Sequence, residues 1–366
     1  MMNPYTASLF FNQDALADFE KQIRVFKQKR QKVFVLLDDH TRHYCWPLIR
    51  SYFIEIQNDT ILIEIPHGEE NKNLDQLHSI WKQLTKAGAG RDAVLINLGG
   101  GVITDLGGFA AASYKRGITT IHFPTTLLAM ADAALGGKTG IDFDGYKNHI
   151  GVFYQPLKVY VLTDFLKTLP ERQWKSGLGE LIKYGFLTMK GLKPLENFSF
   201  SVNQQLQKAI IEAAQFKLNV VAEDPTEIGM RKILNFGHTI GHAFESFAMS
   251  KRQTLMHGEA VAAGIAAELY LSVRLKGLKI NVLEDYVSFY HRHFEPFKIV
   301  TSDITTLLYI ISHDKKNRGR ELLMVCIESN KKPVFDVTVE PEQLRECLTL
   351  ISPKVNTTDN FVAFYG

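Results

Sequence analysis

Three consecutive glycines, Gly99–Gly101, end the strand-like run AVLINL and open the helical pattern GVITDLGGFAAASY. They head a crowd. Eleven of the chain's 26 glycines lie between Gly99 and Gly151, where an even spread would put roughly four. Glycine permits φ > 0 and lets a ligand or another backbone come close. A helix that starts from such a turn offers unpaired amides and a dipole that favour an anion. The pattern is neither GxGxxG nor a P-loop ending in GK[ST], and by itself it also describes a tight turn packed under a helix. What favours a phosphate pocket is the company: Asp105, Arg116, PTT (124–126), GGKTG (136–140) and Lys147-Asn148.

Around this turn, strands and helices alternate. Residues 32–39, 60–66, 93–101, 119–126 and 158–164 are short β-branched-rich strand candidates, with helical patterns such as Asn73–Ala87 and Val102–Tyr114 between them. Such alternation means a parallel sheet covered by helices, with ligands at its carboxyl edge. After Thr168-Leu169-Pro170 helical patterns dominate: Gly177–Met189, Gln204–Glu223, Lys232–Ala248, Gly258–Leu275 and Asn281–Tyr290, with one good strand at 321–327. The expected fold is an α/β domain with a Rossmann-like parallel sheet (residues 1–168). A mainly α-helical domain (169–366) follows, with the active site in the cleft between them.

Composition narrows the function. A formal net charge of +3 over 366 residues lacks the basic excess of a dedicated nucleic-acid binder. Cys45, Cys326 and Cys347 are widely spaced and form no CxxC, so neither a disulfide framework nor a cysteine metal site is expected. The N-terminal segment carries Asp14, Asp18 and Glu20 and does not read as a signal peptide. The longest apolar stretch, Ala260 to Val273, is interrupted by Glu268 and is no membrane span. A reduced, soluble, cytoplasmic protein is expected.

In LNFGHTIGHAFE, His238 and His242 stand four residues apart, on one face of a helix, with Glu245 beyond them. Paired imidazoles at this spacing commonly present zinc ligands, and a third ligand would come from His257 or Glu180. Spacing alone does not choose which three bind. Cations accumulate in the same half: Lys183, three residues after Glu180, then Lys217, Arg231 and the pair Lys315-Lys316. A helix from 232 to 248 would put Arg231 and Asn235 on the face of His238. A metal, a spare histidine and several cations describe a site for an anionic, hydroxylated small molecule.

At these residues the sequence resembles the 3-dehydroquinate synthases, zinc- and NAD-dependent cyclases of the shikimate pathway to aromatic amino acids. The resemblance runs in order through HGEENK (67–72), GGGVITDLGGF (99–109), YKRGI (114–118), PTTLLAMADAALGGKTG (124–140), KNHIGVFYQP (147–156), FLKTLP (165–170), GELIKYG (179–185), DPTEIGMRKILNFGHTIGHAFE (224–245), HGEAVAAG (257–264) and DKK (314–316).

The resemblance implies that Glu180, His238 and His257 bind Zn2+ or Co2+, leaving His242 to contact substrate or handle a proton. It implies NAD+ across the glycine turn, with Asp38, Glu69 and Lys72 at the adenosine end. Gly100, Gly101, Val102, Asp105, Thr125, Thr126, Phe165 and Thr168 would line the remainder, and Lys138 and Lys147 would stand where cofactor and substrate meet. Substrate groups would be Asp132, Asn148, Lys183, Lys217, Arg231, Asn235, His242 and one of Lys315 and Lys316. Arg116 would reach the neighbouring site of a homodimer. The implied activity is a phosphate-eliminating lyase. It converts 3-deoxy-D-arabino-heptulosonate 7-phosphate to 3-dehydroquinate by transient oxidation at C5, β-elimination, re-reduction and aldol closure.

Two departures stand out. MADAALGGK replaces the usual QVDSSVGGK, changing Met130, Ala131, Ala133 and Ala134 around Asp132, and His40 stands where Asn is common. Related cyclases making 2-epi-5-epi-valiolone or 2-deoxy-scyllo-inosose, and metal-dependent alcohol or glycerol dehydrogenases, are the competing readings. The former alter the substrate-end residues and the latter release NADH at each turnover.

Overall fold

The computed structural model describes residues 7–144, 146–312 and 322–351. The chain divides into two compact units: residues up to Trp174 with Ser199–Thr226, and Lys175–Phe198 with the chain from Glu227 onward.

The first unit is built on six parallel strands: β1 (Ser8–Phe11), β2 (Val33–Asp38), β3 (Thr60–Ile65), β4 (Val94–Gly99), β5 (Thr119–Pro124) and β8 (Lys158–Val161). They lie in the order β1-β8-β5-β4-β2-β3. Strands covered on both faces read as continuous apolar runs, and Val33–Leu37 and Val94–Leu98 are buried along their whole length. Helices Leu74–Lys86 and Gly101–Ser113 cover one face through Leu77, Ile80, Leu106 and Ala110. The chain runs from β2 outward to β3, then crosses back to β4 on the other side of β2. This reversal puts the topological switch point between the carboxyl ends of β2 and β4, where α/β sheets bind ligands. Asp38 and Gly99 end those two strands. An antiparallel hairpin of β6 (Lys138–Phe143) and β7 (Tyr146–Phe153) lies outside the strand candidates of the sequence.

The second unit is mainly helical, with Glu171–Leu187, His238–Ser250, His257–Lys276, Ile280–His293, Ile304–Ser312 and Pro341–Ile351, beside a small sheet of β9 (Leu322–Ile327) and β10 (Pro333–Val339). Its helices cross backbone to backbone. A Cβ on Gly258 would stand 1.7 Å from the Ser176 carbonyl oxygen, and one on Gly179 would stand 2.1 Å from the Gly258 oxygen. A Cβ on Gly264 would meet the Gly237 oxygen at 2.1 Å. The three helices at the centre of this unit therefore approach more closely than any larger residue allows.

One expectation is corrected here. The helix read from Lys232 to Ala248 begins only at His238, and Met230–Asn235 is a separate 3-10 turn. Gly237, at φ +78, separates the two, and its amide donates to Glu268 Oε2 at 2.7 Å. Arg231 and Asn235 accordingly do not share a helix face with His238. Among the described residues, no helix is long and apolar enough to cross a membrane.

Candidate functional site

The second unit gathers its histidines around one carboxylate. Glu180 Oε1 lies 3.1 Å from His257 Nε2 and 3.3 Å from His238 Nε2. Ligand atoms about 2.0–2.1 Å from a tetrahedral zinc stand roughly 3.3 Å from one another, so each histidine nitrogen already has the spacing of a coordination edge from the carboxylate oxygen. The other nitrogen of each ring is engaged in a way that aims Nε2 at Glu180. His238 Nδ1 lies 3.1 Å from the Phe236 carbonyl, and His257 Nδ1 lies 3.1 Å from Glu245 Oε2. Carboxylate or carbonyl partners of this kind fix the tautomer of metal-binding histidines. His242 belongs to the same cluster, its ligand atom within 4.8 Å of those of His238 and His257. A metal fits this donor set, and the geometry admits either Glu180 or His242 as the third ligand.

The electrostatics match. Burial alone would raise the Glu180 pKa, but the Lys183 ammonium, 2.6 Å from Oε2, and the histidines hold it well below the usual carboxylate range. Burial lowers the His238 pKa despite Glu180. His257 goes the other way: burial opposes its charge, yet the Glu245 and Glu180 carboxylates push it up to about 10. In the absence of a metal, a proton on His257 supplies the positive charge that the two carboxylates require.

Elsewhere in this unit, Arg231 is 1% exposed, and Asn235 Nδ2 donates to Glu227 Oε1 at 2.9 Å. Lys315 and Lys316 lie outside the described residues. Sequence reasoning gave no role to Glu268. The single carboxylate inside the apolar stretch Ala260–Val273 was the available signal, and it anchors the Gly237 turn that starts the histidine helix.

In the first unit, helix Gly101–Ser113 has no side-chain cap at its N-terminus, which leaves its first amides for an anion. None of Gly99–Gly101 adopts positive φ. These glycines are needed for closeness instead: a Cβ on Gly99 would lie 2.4 Å from the Ile103 side chain, and one on Gly100 would lie 2.9 Å from Thr126 Cγ2. The buried Thr125 donates its amide to the Gly99 carbonyl at 3.0 Å, and Thr126 Oγ1 caps the next turn at Ala129. Val102 stands half-buried in the first turn of that helix. Asp38 Oδ1 caps its own short helix by accepting from the Thr41 amide at 2.7 Å. A dinucleotide fits this cradle at the switch point.

Beside it, Lys72 is 3% exposed, its Nζ 2.7 Å from Asp105 Oδ2 and 3.8 Å from Glu69, and it also donates to Asn148 Oδ1. Burial would lower the Lys72 pKa, but Asp105 and Glu69 outweigh it and keep the ammonium above its ordinary range. Residues expected at opposite ends of the pocket, Lys72 and Asn148, are thus hydrogen-bonded to each other. Lys138 and Lys147 are exposed on the β6–β7 hairpin. Phe165 is buried, and Thr168 Oγ1 donates to its carbonyl.

Asp132 pairs with the buried Lys217 through Oδ2 at 2.7 Å and through its backbone oxygen at 2.9 Å. It sits in a single π-turn, Ala129–Ala133, whose Met130 and Ala131 are fully buried. The departures at these two positions therefore face the interior and leave the Asp132–Lys217 pair in place. Arg116 is exposed in a turn where Lys115, Arg116 and Gly117 all have positive φ.

Comparison with known proteins gives a consistent result. Residues 62–176 match the 3-dehydroquinate synthase N-terminal family and residues 177–317 the 3-dehydroquinate synthase C-terminal family. A 3-dehydroquinate synthase of Parabacteroides distasonis is 41% identical over 328 residues, covering 87% of this chain and 91% of that protein. Among solved structures, a 2-deoxy-scyllo-inosose synthase complexed with carbaglucose-6-phosphate, NAD+ and Co2+ aligns with a TM-score of 0.75 at 24% identity, over 93% of this chain and 96% of that one. A 2-epi-5-epi-valiolone synthase from Streptomyces hygroscopicus with NAD+ and Zn2+ bound aligns at 0.77 and 21% identity, over 94% and 96%. At these identities the two structures establish the shared fold.

Proposed function

The chain belongs to the 3-dehydroquinate synthase family, and from that premise we propose that it converts 3-deoxy-D-arabino-heptulosonate 7-phosphate to 3-dehydroquinate and phosphate. The observation that carries the reading is Glu180 Oε1 set within 3.3 Å of both His238 Nε2 and His257 Nε2, in a chain that also has an uncapped glycine turn at its switch point. Glu180, His238 and His257 would hold zinc or cobalt, and the Gly101 helix terminus would hold the NAD+ pyrophosphate. The metal would supply Lewis-acid polarisation of the substrate's C5 oxygen, and NAD+ would supply reversible hydride acceptance with no net redox change.

The chain's own residues supply the rest. Glu245 and the Phe236 carbonyl keep the two histidine rings aimed at Glu180. Lys183, Arg231 and Lys217 are buried cations suited to a carboxylate or phosphate, to which charge-assisted bonds are the strong kind. Asn148 and Asn235 offer neutral polar contacts, and Lys138 and Lys147 add cationic ones. His242, outside the ligand set, handles a proton at a substrate hydroxyl. Loss of phosphate needs no separate strong base, because the leaving phosphate oxygen can take the proton itself. One of Lys315 and Lys316 completes the substrate contacts. Glu69, Lys72 and Asp38 would hold the adenosine end, with Asp105, Val102, Thr125, Thr126, Phe165 and Thr168 lining the dinucleotide. We place the protein in the cytoplasm and take residues 1–168 and 169–366 as the functional domains.

A homodimer is part of the proposal. The β6–β7 hairpin exposes Phe143, Tyr146, Ile150, Val152 and Phe153, an apolar strip that a second copy would cover, and Arg116 would enter the partner's site.

The decisive assay supplies purified protein with the heptulosonate phosphate, catalytic NAD+ and Zn2+ and follows phosphate release. Stoichiometric phosphate without NADH accumulation is expected. No release, together with steady NADH from a simple alcohol, would overturn the reading in favour of a dehydrogenase.

A further inference from the structure

Two groups of three potential metal ligands come together among the described residues, and only one contains the histidine helix. The other is Asp39, His40 and His67, all exposed, with their ligand atoms within 4.8 Å of one another. The three come from two segments that the fold brings together at the carboxyl edge of the sheet. Asp39 and His40 follow β2, and His67 follows β3, its parallel neighbour. The arrangement is pinned by backbone as well as side chain. Asp39 Oδ1 accepts from the His67 amide at 2.9 Å, and His67 Nδ1 lies 3.0 Å from both carboxylate oxygens. The His40 and His67 rings stack with centroids 3.8 Å apart and planes inclined by 17°. His40 is the residue that the sequence set apart from the family pattern, and it supplies the second imidazole.

We propose that Asp39, His40 and His67 form a second, surface metal site for a borderline transition-metal ion such as Zn2+, Cu2+ or Ni2+. Two imidazoles and one carboxylate suit these ions, whereas Mg2+ and Ca2+ require mainly oxygen ligands. With the two ring planes nearly parallel, one ring must turn to share an ion with the other. Asp39 holds His67, so the exposed His40 is the ring that turns, with no packed core against it. Water would complete the coordination.

The test uses the full-length protein, stripped by a chelator and titrated with Zn2+ against a chromophoric competitor. Two ions per chain are expected. Removing even an outer partner of a metal ligand costs about 10–100-fold in affinity, so His40→Ala and His67→Ala should each weaken the second ion at least tenfold while one ion per chain remains. Glu180→Gln should do the converse, which separates this site from the first. Far-ultraviolet circular dichroism checks that each variant is folded. A wild-type stoichiometry of one, abolished by His257→Ala, overturns the proposal. So does a second ion that survives both His40→Ala and His67→Ala.

Discussion

Glu180 Oε1 stands 3.1 Å from His257 Nε2 because the residues next to them in sequence, Gly179 and Gly258, meet backbone to backbone. The two ligand candidates are 77 residues apart in the chain. Their meeting depends on two helices approaching with no side chain between them, and the same crossing sets the distance of the pair.

This relationship makes Gly258 a structural determinant of metal binding. Alanine favours a helix by about 1 kcal/mol over glycine, but here its Cβ would fall 1.7 Å from the Ser176 oxygen. Overpacking of this kind costs about 1–3 kcal/mol or more, so the clash wins. Gly258→Ala should lower both thermal stability and zinc affinity. An unchanged zinc affinity would show that the crossing does not set the ligand spacing.

Metal binding should release a proton. His257 is held up to about 10 by Glu245 and Glu180 against the effect of burial, so in the metal-free protein it is charged at neutral pH. A metal must displace that proton, and apparent affinity should rise about tenfold per pH unit between roughly pH 7 and 9. Stability of the metal-free protein runs the opposite way. The folded pKa lies above the unfolded value, so the stabilisation is full below about pH 6.5 and is lost as pH rises through about 10. Calorimetric zinc titrations in buffers of different ionisation enthalpy count the proton. A pH-independent affinity would contradict this account.

The choice of ligands can be read from paired variants. His257→Ala should abolish tight metal binding, whereas His242→Ala should keep the metal and lose turnover. Glu245→Gln, which keeps a hydrogen-bonding side chain but removes the charge, should weaken the metal by about 10–100-fold. Metal analysis after gel filtration, run beside the phosphate-release assay, separates these outcomes. Equal metal loss in the His242 and His257 variants would favour the three-histidine set.

Lys72 offers a stability test in the first unit. Removing one partner of a buried ion pair strands the other, at about 3–5 kcal/mol. Lys72 and Asp105 are 4% and 18% exposed by side chain, which puts the cost near the lower end. Lys72→Met should therefore destabilise by about 3 kcal/mol, and adding Asp105→Asn should recover part of that loss, as measured by denaturant melts. NAD+ affinity should fall in Lys72→Met if the lysine also serves the dinucleotide.

The alternating strands and helices, the glycine turn and the residue types of the site are legible in the chain alone. Each of these is written in local periodicity: the helical pattern Gln204–Glu223 has the ends of the observed helix, and β2 to β5 lie on the β-branched runs. Spacing also put His238 and His242 together, because four residues make one helical turn. The break at Gly237 was not legible, since a positive-φ glycine and a helical one look alike until Glu268 is seen to hold the turn. Nor could local pattern say that Gly99–Gly101 serve close packing in place of unusual φ, or that His40 and His67 would stack. Which carboxylate meets which histidine depends on long-range packing. Glu180, Glu245 and His257 lie on three different helices, and their distances follow from glycine-lined crossings that leave no periodic trace in the chain.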